Sequence, residues 1–328
     1  MKPFSKDLLV LNPEQEATRI CDRIRSLMRN EIKRRGLIVA LSGGIDSSVT
    51  AALAVKAVGA SKVFGLEMPE RHSAEETLSL SSKVAGHLGI QTAHEDISGI
   101  LEAFGFYRRY DEAVQSVIPD YGPGWKSKIV TSDIMENRGF SVFSVVVQPP
   151  AGEQIKQRLP LNAYLEIVAA TNLKQRTRKT LEYYHADRLN YAVAGTPNRL
   201  EYDQGFFVKL GDGAADIKPI AHLYKSQVYQ MAEYLEIPEE IRSRPPTTDT
   251  YSLPQGQDEF YFALPYDRMD LCLFGKNNGY SADDVADSVA LTPEQVQRVY
   301  DDIDTKRKTT RYLHLAPQLI EPIPEIKE

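Results

Sequence analysis

Apolar residues recur at helical spacing through Ala17, Ile20, Cys21, Ile24, Leu27, Met28 and Ile32, after an Asn12-Pro13-Glu14 start that supplies a cap and a first-turn proline. This predicts an amphipathic N-terminal helix ending before Gly36. Residues 37–41 are an uninterrupted, β-branched apolar run, as a buried parallel strand should be, and residues 49–58 are Ala-rich and apolar, as a helix packed on that sheet should be. The pattern then predicts a strand at 62–68, a helix at 73–88 and a short strand at 91–97. A β-α-β-α-β order implies an α/β fold with a parallel sheet and right-handed crossovers, and such sheets bind ligands at the C-terminal ends of their strands.

Between 101 and 160 the pattern breaks down. Phe104, Phe106, Tyr107, Arg108, Arg109 and Tyr110 are followed by a Tyr121-Gly122-Pro123-Gly124 turn, the only tryptophan (Trp125), and a strand-like run at 140–147. We read 101–160 as an inserted subdomain, expected at the mouth of the site because it leaves the sheet after the third strand. A helix resumes at 161 and runs to about 188, with Asn172 as a candidate break, before a strand at 191–195. A helix at about 224–235 and a Pro-punctuated helical C-terminal third follow, including an Ala290-Leu291-Thr292-Pro293-Glu294-Gln295 helix start.

The chemistry begins at Ser42-Gly43-Gly44-Ile45-Asp46-Ser47-Ser48, directly between the first strand and its helix. Adjacent glycines let the backbone approach a polyanion, and the serines and helix N-terminal amides supply donors where the helix dipole favours negative charge. The loop lacks the lysine of G-x-x-x-x-G-K-[ST] and carries Asp46, which suits a divalent cation. It resembles the pyrophosphate loop of enzymes that cleave ATP between its α- and β-phosphates.

Composition narrows the field. The chain has 328 residues, 42% hydrophobic and 26% charged, enough for one enlarged α/β domain with helical ends. A net charge of −6 disfavours a broad nucleic-acid footprint. Cys21 and Cys272 are far apart in apolar sequence, which argues against disulfides and cysteine-rich zinc sites, and the six histidines show no metal-ligand spacing. No segment reads as a signal peptide or membrane span, so a cytoplasmic location is expected.

Four further segments select the substrate: Asn172-Leu173-Lys174-Gln175-Arg176-Thr177-Arg178; Gly195-Thr196-Pro197-Asn198-Arg199-Leu200-Glu201; residues 205–216, from Gly205 to Asp216; and Leu223-Tyr224-Lys225 with Pro246-Thr247-Thr248-Asp249. With the glycine loop they resemble the NAD synthetase family, of the ammonia-dependent type, in order and separation. The resemblance implies a single domain over 1–328 with a Rossmann-like parallel sheet of the adenine-nucleotide alpha-hydrolase type, extended by helices at both ends. It implies ATP-dependent amidation of deamido-NAD through an acyl-adenylate, releasing AMP and pyrophosphate, with ammonia as nitrogen donor and Mg2+ as cofactor. A paralogous amidating ligase acting on a different carboxylate is the alternative.

Residue by residue, the resemblance assigns ATP to Ser42, Gly43, Gly44, Asp46, Ser47, Ser48, Thr196, Lys225 and Thr247, and the metal to Asp46 and Glu201. It assigns deamido-NAD to Arg176, Lys209, Asp216 and Lys306. Asp46, Lys225 and Asp212 carry the chemistry, Asp212 at the incoming ammonia. Thr305 stands where the family has a histidine before its Lys-Arg pair, and Pro197, Asn198 and Leu210 also depart from the commoner residues. A homodimer is implied. Neither cysteine has the setting of a glutaminase nucleophile, so ammonia is expected from solution or a separate glutaminase.

Overall fold

The computed structural model describes residues 3–73, 75–131, 143–245, 250–256, 261–262 and 264–326. A four-stranded parallel sheet lies at its centre, built from β1 (Leu37–Ala40), β2 (Val63–Glu67), β3 (Gln91–His94) and a later strand, Ala192–Ala194, in the spatial order β3, β2, β1, Ala192–Ala194. The α/β class and the parallel sheet are as the pattern predicts. β1 is buried at Leu37, Ile38 and Val39 because both faces of the sheet are covered. On one face α1 (Pro13–Ser26) and α2 (Ile45–Val58) pack with Val39, Leu53 and Ile24 in one core. Asn12 Oδ1 accepts from Gln15 N at 3.0 Å, so the predicted cap is in place. The next helix, α3 (Glu75–Leu88), joins β2 to β3.

The other face carries Ile38, Leu66 and Val193 into a second core with α4 (Ser98–Ala103), α5 (Phe106–Gln115) and a long helix, α6 (Leu161–Leu189). The same core takes in Ile129, Val145 and Val147 from a three-stranded antiparallel sheet of β4 (Lys126–Thr131), β5 (Phe143–Gln148) and β6 (Ile155–Arg158). That sheet occupies much of the irregular 101–160 stretch. The strand run expected at 140–147 corresponds to β5; residues 140–142 lie outside the described residues.

One expectation is overturned. α6 is continuous over 29 residues, with no break at Asn172. A helix-interior Asn costs only about 0.7 kcal/mol relative to Ala. Against that stand the buried Ile167, Ala170 and Lys174 around it, and Thr171 Oγ1, which donates to Ile167 O at 2.7 Å and stays within the helix.

The chain returns to the main sheet as β7 (Ala192–Ala194) and ends in helices α7 (Arg199–Gln204), α8 (Lys225–Tyr234), α9 (Glu239–Arg242), α10 (Tyr266–Asn277), α11 (Ala282–Val289) and α12 (Pro293–Thr310). Thr292 caps α12 ahead of Pro293, as its sequence signals. Among the described residues, no helix is long and apolar enough to cross a membrane.

Candidate active site

The strand order reverses at β1, which has β2 on one side and β7 on the other. The loops leaving β1 and β7 therefore diverge at the C-terminal edge of the sheet, the position where α/β folds bind ligands. The glycine loop leaves β1 there. Gly44 is the N-cap of α2, and Gly43 holds φ +68°, where a Cβ would lie 2.7 Å from Thr77 O. Only glycine fits without a shift.

The loop serines brace this turn. Ser47 Oγ and Ser48 Oγ donate to Gly44 O at 3.0 and 2.8 Å, and Ser42 N donates to Ser47 Oγ at 3.3 Å. With these hydroxyls turned onto the loop's own backbone, the first-turn amides of α2, which a helix leaves without intrahelical acceptors, are the natural anion donors.

Asp46 lies in that first turn and joins three elements. Its Oδ2 pairs with Lys225 Nζ at the start of α8, and its Oδ1 accepts from Asn198 Nδ2 at 3.1 Å. Asn198 follows β7 and forms a capping box with Glu201: Asn198 N donates to Glu201 Oε2 at 3.1 Å and Glu201 N donates to Asn198 Oδ1 at 3.2 Å. The two carboxylates assigned to a metal are thus both bonded to one residue. Asn198 was absent from the sequence-based site, although Asn198-Arg199-Leu200-Glu201 carries the spacing of a helix-capping box.

Lys225 has a side chain only 2% exposed. Burial alone would lower its pKa, but the charges of Asp46 and Glu201 outweigh this and raise it, so it remains an ammonium. Its backbone is fixed by a second residue that sequence reasoning missed. Asp270 of α10 accepts from Lys225 N at 3.1 Å and Ser226 N at 2.7 Å, and burial pushes its carboxyl up to about 6 against those bonds. An acidic residue inside the apolar Met269-Asp270-Leu271-Cys272 run was the available signal.

The residues assigned to the acceptor form a second group beside α6. Arg176 Nε donates to Lys209 O at 3.3 Å, and Lys209 Nζ donates to the carbonyls of Tyr312 and Leu315 at 2.7 and 3.2 Å. In the same turn, Asp212 Oδ1 accepts from Val208 N at 2.8 Å; burial pushes the Asp212 carboxyl up, opposed by that N–H and by the Lys179 charge. Asp216 is pinned to the sheet: its Oδ2 accepts from Val193 N at 2.7 Å and its Oδ1 from Tyr183 OH at 3.3 Å.

The remaining candidates separate. Thr196 lies half-buried in the loop after β7, while Thr247 lies outside the described residues. Lys306 pairs with Asp302 at 2.6 Å and donates to Tyr261 O at 2.5 Å. Those contacts tie it to its own helix and to Tyr261, not to the glycine loop or α6. Cys21 and Cys272 are both buried.

The chain matches the NAD synthase family model over residues 16–119 and 131–311. It is 61% identical over 324 residues to the NH(3)-dependent NAD(+) synthetase of Rhizobium meliloti (strain 1021), covering 99% of this chain and 97% of that one. In overall fold it is similar to the NMN synthetase from Francisella tularensis (TM-score 0.64, 22% identity, 94% and 100% of the two chains). The same holds for the NH3-dependent NAD synthetase from Campylobacter jejuni subsp. jejuni NCTC 11168 (TM-score 0.61, 21% identity, 95% and 100%). The match over most of the chain, together with the Asp46, Glu201 and Lys225 cluster at the sheet's reversal point, places this protein in the NAD synthase family.

Proposed function

We propose that the chain is an ammonia-dependent NAD synthetase that amidates deamido-NAD with ATP. The observation that carries this reading is a buried Lys225 paired with the glycine-loop Asp46 at the reversal point of the sheet. A nucleotide-binding module without chemistry has no need of that buried cation.

A carboxylate is a poor acyl donor, so its oxygen first attacks the α-phosphorus of ATP and the bond to pyrophosphate breaks. The α2 amides hold the departing phosphates, and Lys225 offsets the charge that grows on them. Ammonia then attacks the acyl carbon of the adenylate, AMP leaves, and the surplus proton passes to a base. Asp212, with its raised pKa, is the residue for that role, able to take the proton as ammonium enters as NH3.

Asp46 and Glu201 fit a magnesium ion. They supply hard oxygens on either side of Asn198, and Mg2+ binds proteins through one or two carboxylates and takes its remaining ligands from water and substrate phosphates. Among the described residues, no group of three His, Cys, Asp or Glu side chains is set to hold a metal alone. When bound, the ion would neutralise phosphate charge.

Arg176, Lys209 and Asp216 are assigned to deamido-NAD, with Lys306 a weaker candidate because its contacts lie elsewhere. Leu161 and Leu165 stay exposed on α6, which supports a homodimer. The nitrogen donor is free ammonia, from solution or from a separate glutaminase, because both thiols are buried. The site takes small molecules; neither a nucleic acid nor a membrane is a partner, and the enzyme works in the cytoplasm.

The test is product analysis by mass spectrometry with ATP, magnesium, ammonium and deamido-NAD. NAD, AMP and pyrophosphate in equal amounts are expected. ADP with orthophosphate, or NAD formed equally well from glutamine by the pure chain, would overturn the assignment.

A further inference from the structure

The Lys-Arg pair at 306–307 faces two ways. Lys306 turns to Asp302 and Tyr261, whereas Arg307 reaches from α12 to two other helices. Its Nε and Nη2 donate to Asp203 Oδ1 and Oδ2 of α7 at 2.6 and 2.8 Å, a two-pronged contact, and Nη2 also donates to Asn277 Oδ1 at 2.5 Å, on the last residue of α10. The Asp203 side chain is 7% exposed and takes a second guanidinium, that of Arg199, at 3.2 Å. One turn further along α12, Thr310 Oγ1 donates to Gln204 O at 3.4 Å.

Each of the two helices that Arg307 grips holds one member of the ion pair at the glycine loop. α7 is capped by Asn198, whose Nδ2 donates to Asp46 Oδ1, and Arg199 N donates to Leu223 O at 2.8 Å, two residues before Lys225. α10 carries Asp270, which accepts from Lys225 N and Ser226 N, and Phe274, whose ring lies 5.9 Å from that of Tyr224. α7 has only six residues, too few for a helix to persist on its own hydrogen bonds, so its place is set by what grips it from outside. Lys276 Nζ pairs with Asp304 at 2.7 Å, which joins α10 to α12 beside the same contact.

We propose that Arg307 is a positioning residue for the Asp46–Lys225 pair. Its planar fork fixes α7 against α10, and those helices carry the groups that hold Asp46 by its carboxylate and Lys225 by its backbone. A lysine at 307 would supply the charge without the fork. Misplacing a reacting group by about 1 Å can cost about 10²-fold in rate, so a small rotation of α7 against α10 is enough to register. The proposal deepens the reading of Lys225 as the group that offsets charge on the departing pyrophosphate, and rests on it.

The test is a kinetic cycle of wild type, Arg307→Met, Lys225→Met and the double variant, with Arg307→Lys beside it, each as the full chain and assayed where urea unfolding shows it folded. Arg307→Met should lower kcat about tenfold with the KM values for ATP and deamido-NAD within about twofold, and Arg307→Lys should lower kcat by at least about threefold. In the Lys225→Met background, Arg307→Met should cost less than about twofold, because the group it positions is gone. An unaltered kcat in Arg307→Met, or the same loss in both backgrounds as a general weakening of the fold would give, would overturn the proposal. Lys225→Met with the wild-type kcat would instead remove the reading of Lys225. Amide exchange at Lys225 and Ser226 would then still decide the positioning role, faster in Arg307→Met supporting it and unchanged refuting it.

Discussion

The Asp46–Lys225 pair allows stability and catalysis to be separated by experiment. Lys225 is 2% exposed and Asp46 17% exposed at the side chain, so the two charges differ in their access to water. Asp46→Asn strands a buried ammonium with only the Glu201 charge to offset it, and breaking a buried pair in this way costs about 3–5 kcal/mol. Lys225→Met leaves a carboxylate that water and Asn198 Nδ2 still reach, so about 1–2 kcal/mol is expected. The double substitution leaves neither charge and should regain most of the loss. The rate behaves differently. Removing one preorganised charge-stabilising donor lowers kcat by about 10²–10³, and the double variant should recover none of that. Urea unfolding and steady-state NAD formation on the four proteins of the cycle are the measurements. A double variant as unstable as Asp46→Asn, or a Lys225→Met enzyme within about tenfold of wild-type kcat, would refute the reasoning.

Three more outcomes follow from the same geometry. Gly43→Ala places a Cβ 2.7 Å from Thr77 O at φ +68° and should cost about 1–2 kcal/mol of stability and raise the KM for ATP, checked by urea unfolding and kinetics; a neutral effect would contradict the fit. Asp270 has its pKa raised from 3.8 to about 6, so the folded chain holds that proton more tightly than the unfolded chain. Its protonation stabilises the fold fully below pH 3.8 and the effect is lost as pH rises through 6; unfolding should therefore show wild type gaining on Asp270→Asn as pH falls from 7 to 4, the opposite trend excluding the assignment. Burial raises the Cys21 thiol and pushes Cys272 to about 12, so a thiol reagent should leave the native enzyme active and react with both residues only after denaturation.

What the sequence made legible was what lies close together along the chain. The strand, glycine loop and helix at 37–58 are local, and period and turn chemistry placed the strand and the helix end, while the helix begins four residues earlier than read, at Ile45 directly after the glycines. Lys225 could be nominated from its motif, but its pairing with Asp46 across 179 residues is a tertiary fact that no periodicity carries. The antiparallel sheet was hidden for a different reason. All four residues of β6 are exposed, so no alternation of apolar and polar positions marks it, and only β5 carries a buried apolar run. Asn172 misled because a local propensity was set against burial, and burial of its neighbours is the larger effect.

The position of β7 ties together the two groups of residues assigned to the site. β7 has three residues, and both chain segments to which chemistry is assigned are tied to it. Its outgoing loop brings Asn198, with Glu201 bonded to it, onto Asp46 of the glycine loop. The returning chain bridges Ala194 to Ile217, Gly195 N donates to Ile217 O at 2.8 Å, and Asp216 Oδ2 accepts from Val193 N. Gly195 belongs to this contact, since a Cβ there would lie 2.8 Å from Ala215 Cβ. The returning chain then runs on to Lys225, after the turn that carries Lys209 and Asp212. If the proposed assignments hold, a shift of β7 would move the carboxylates assigned to the metal and the turn assigned to the acceptor together, which would preserve their spacing. For a two-step reaction whose intermediate must stay in place between attacks, one short buried strand as the common anchor keeps both steps in alignment.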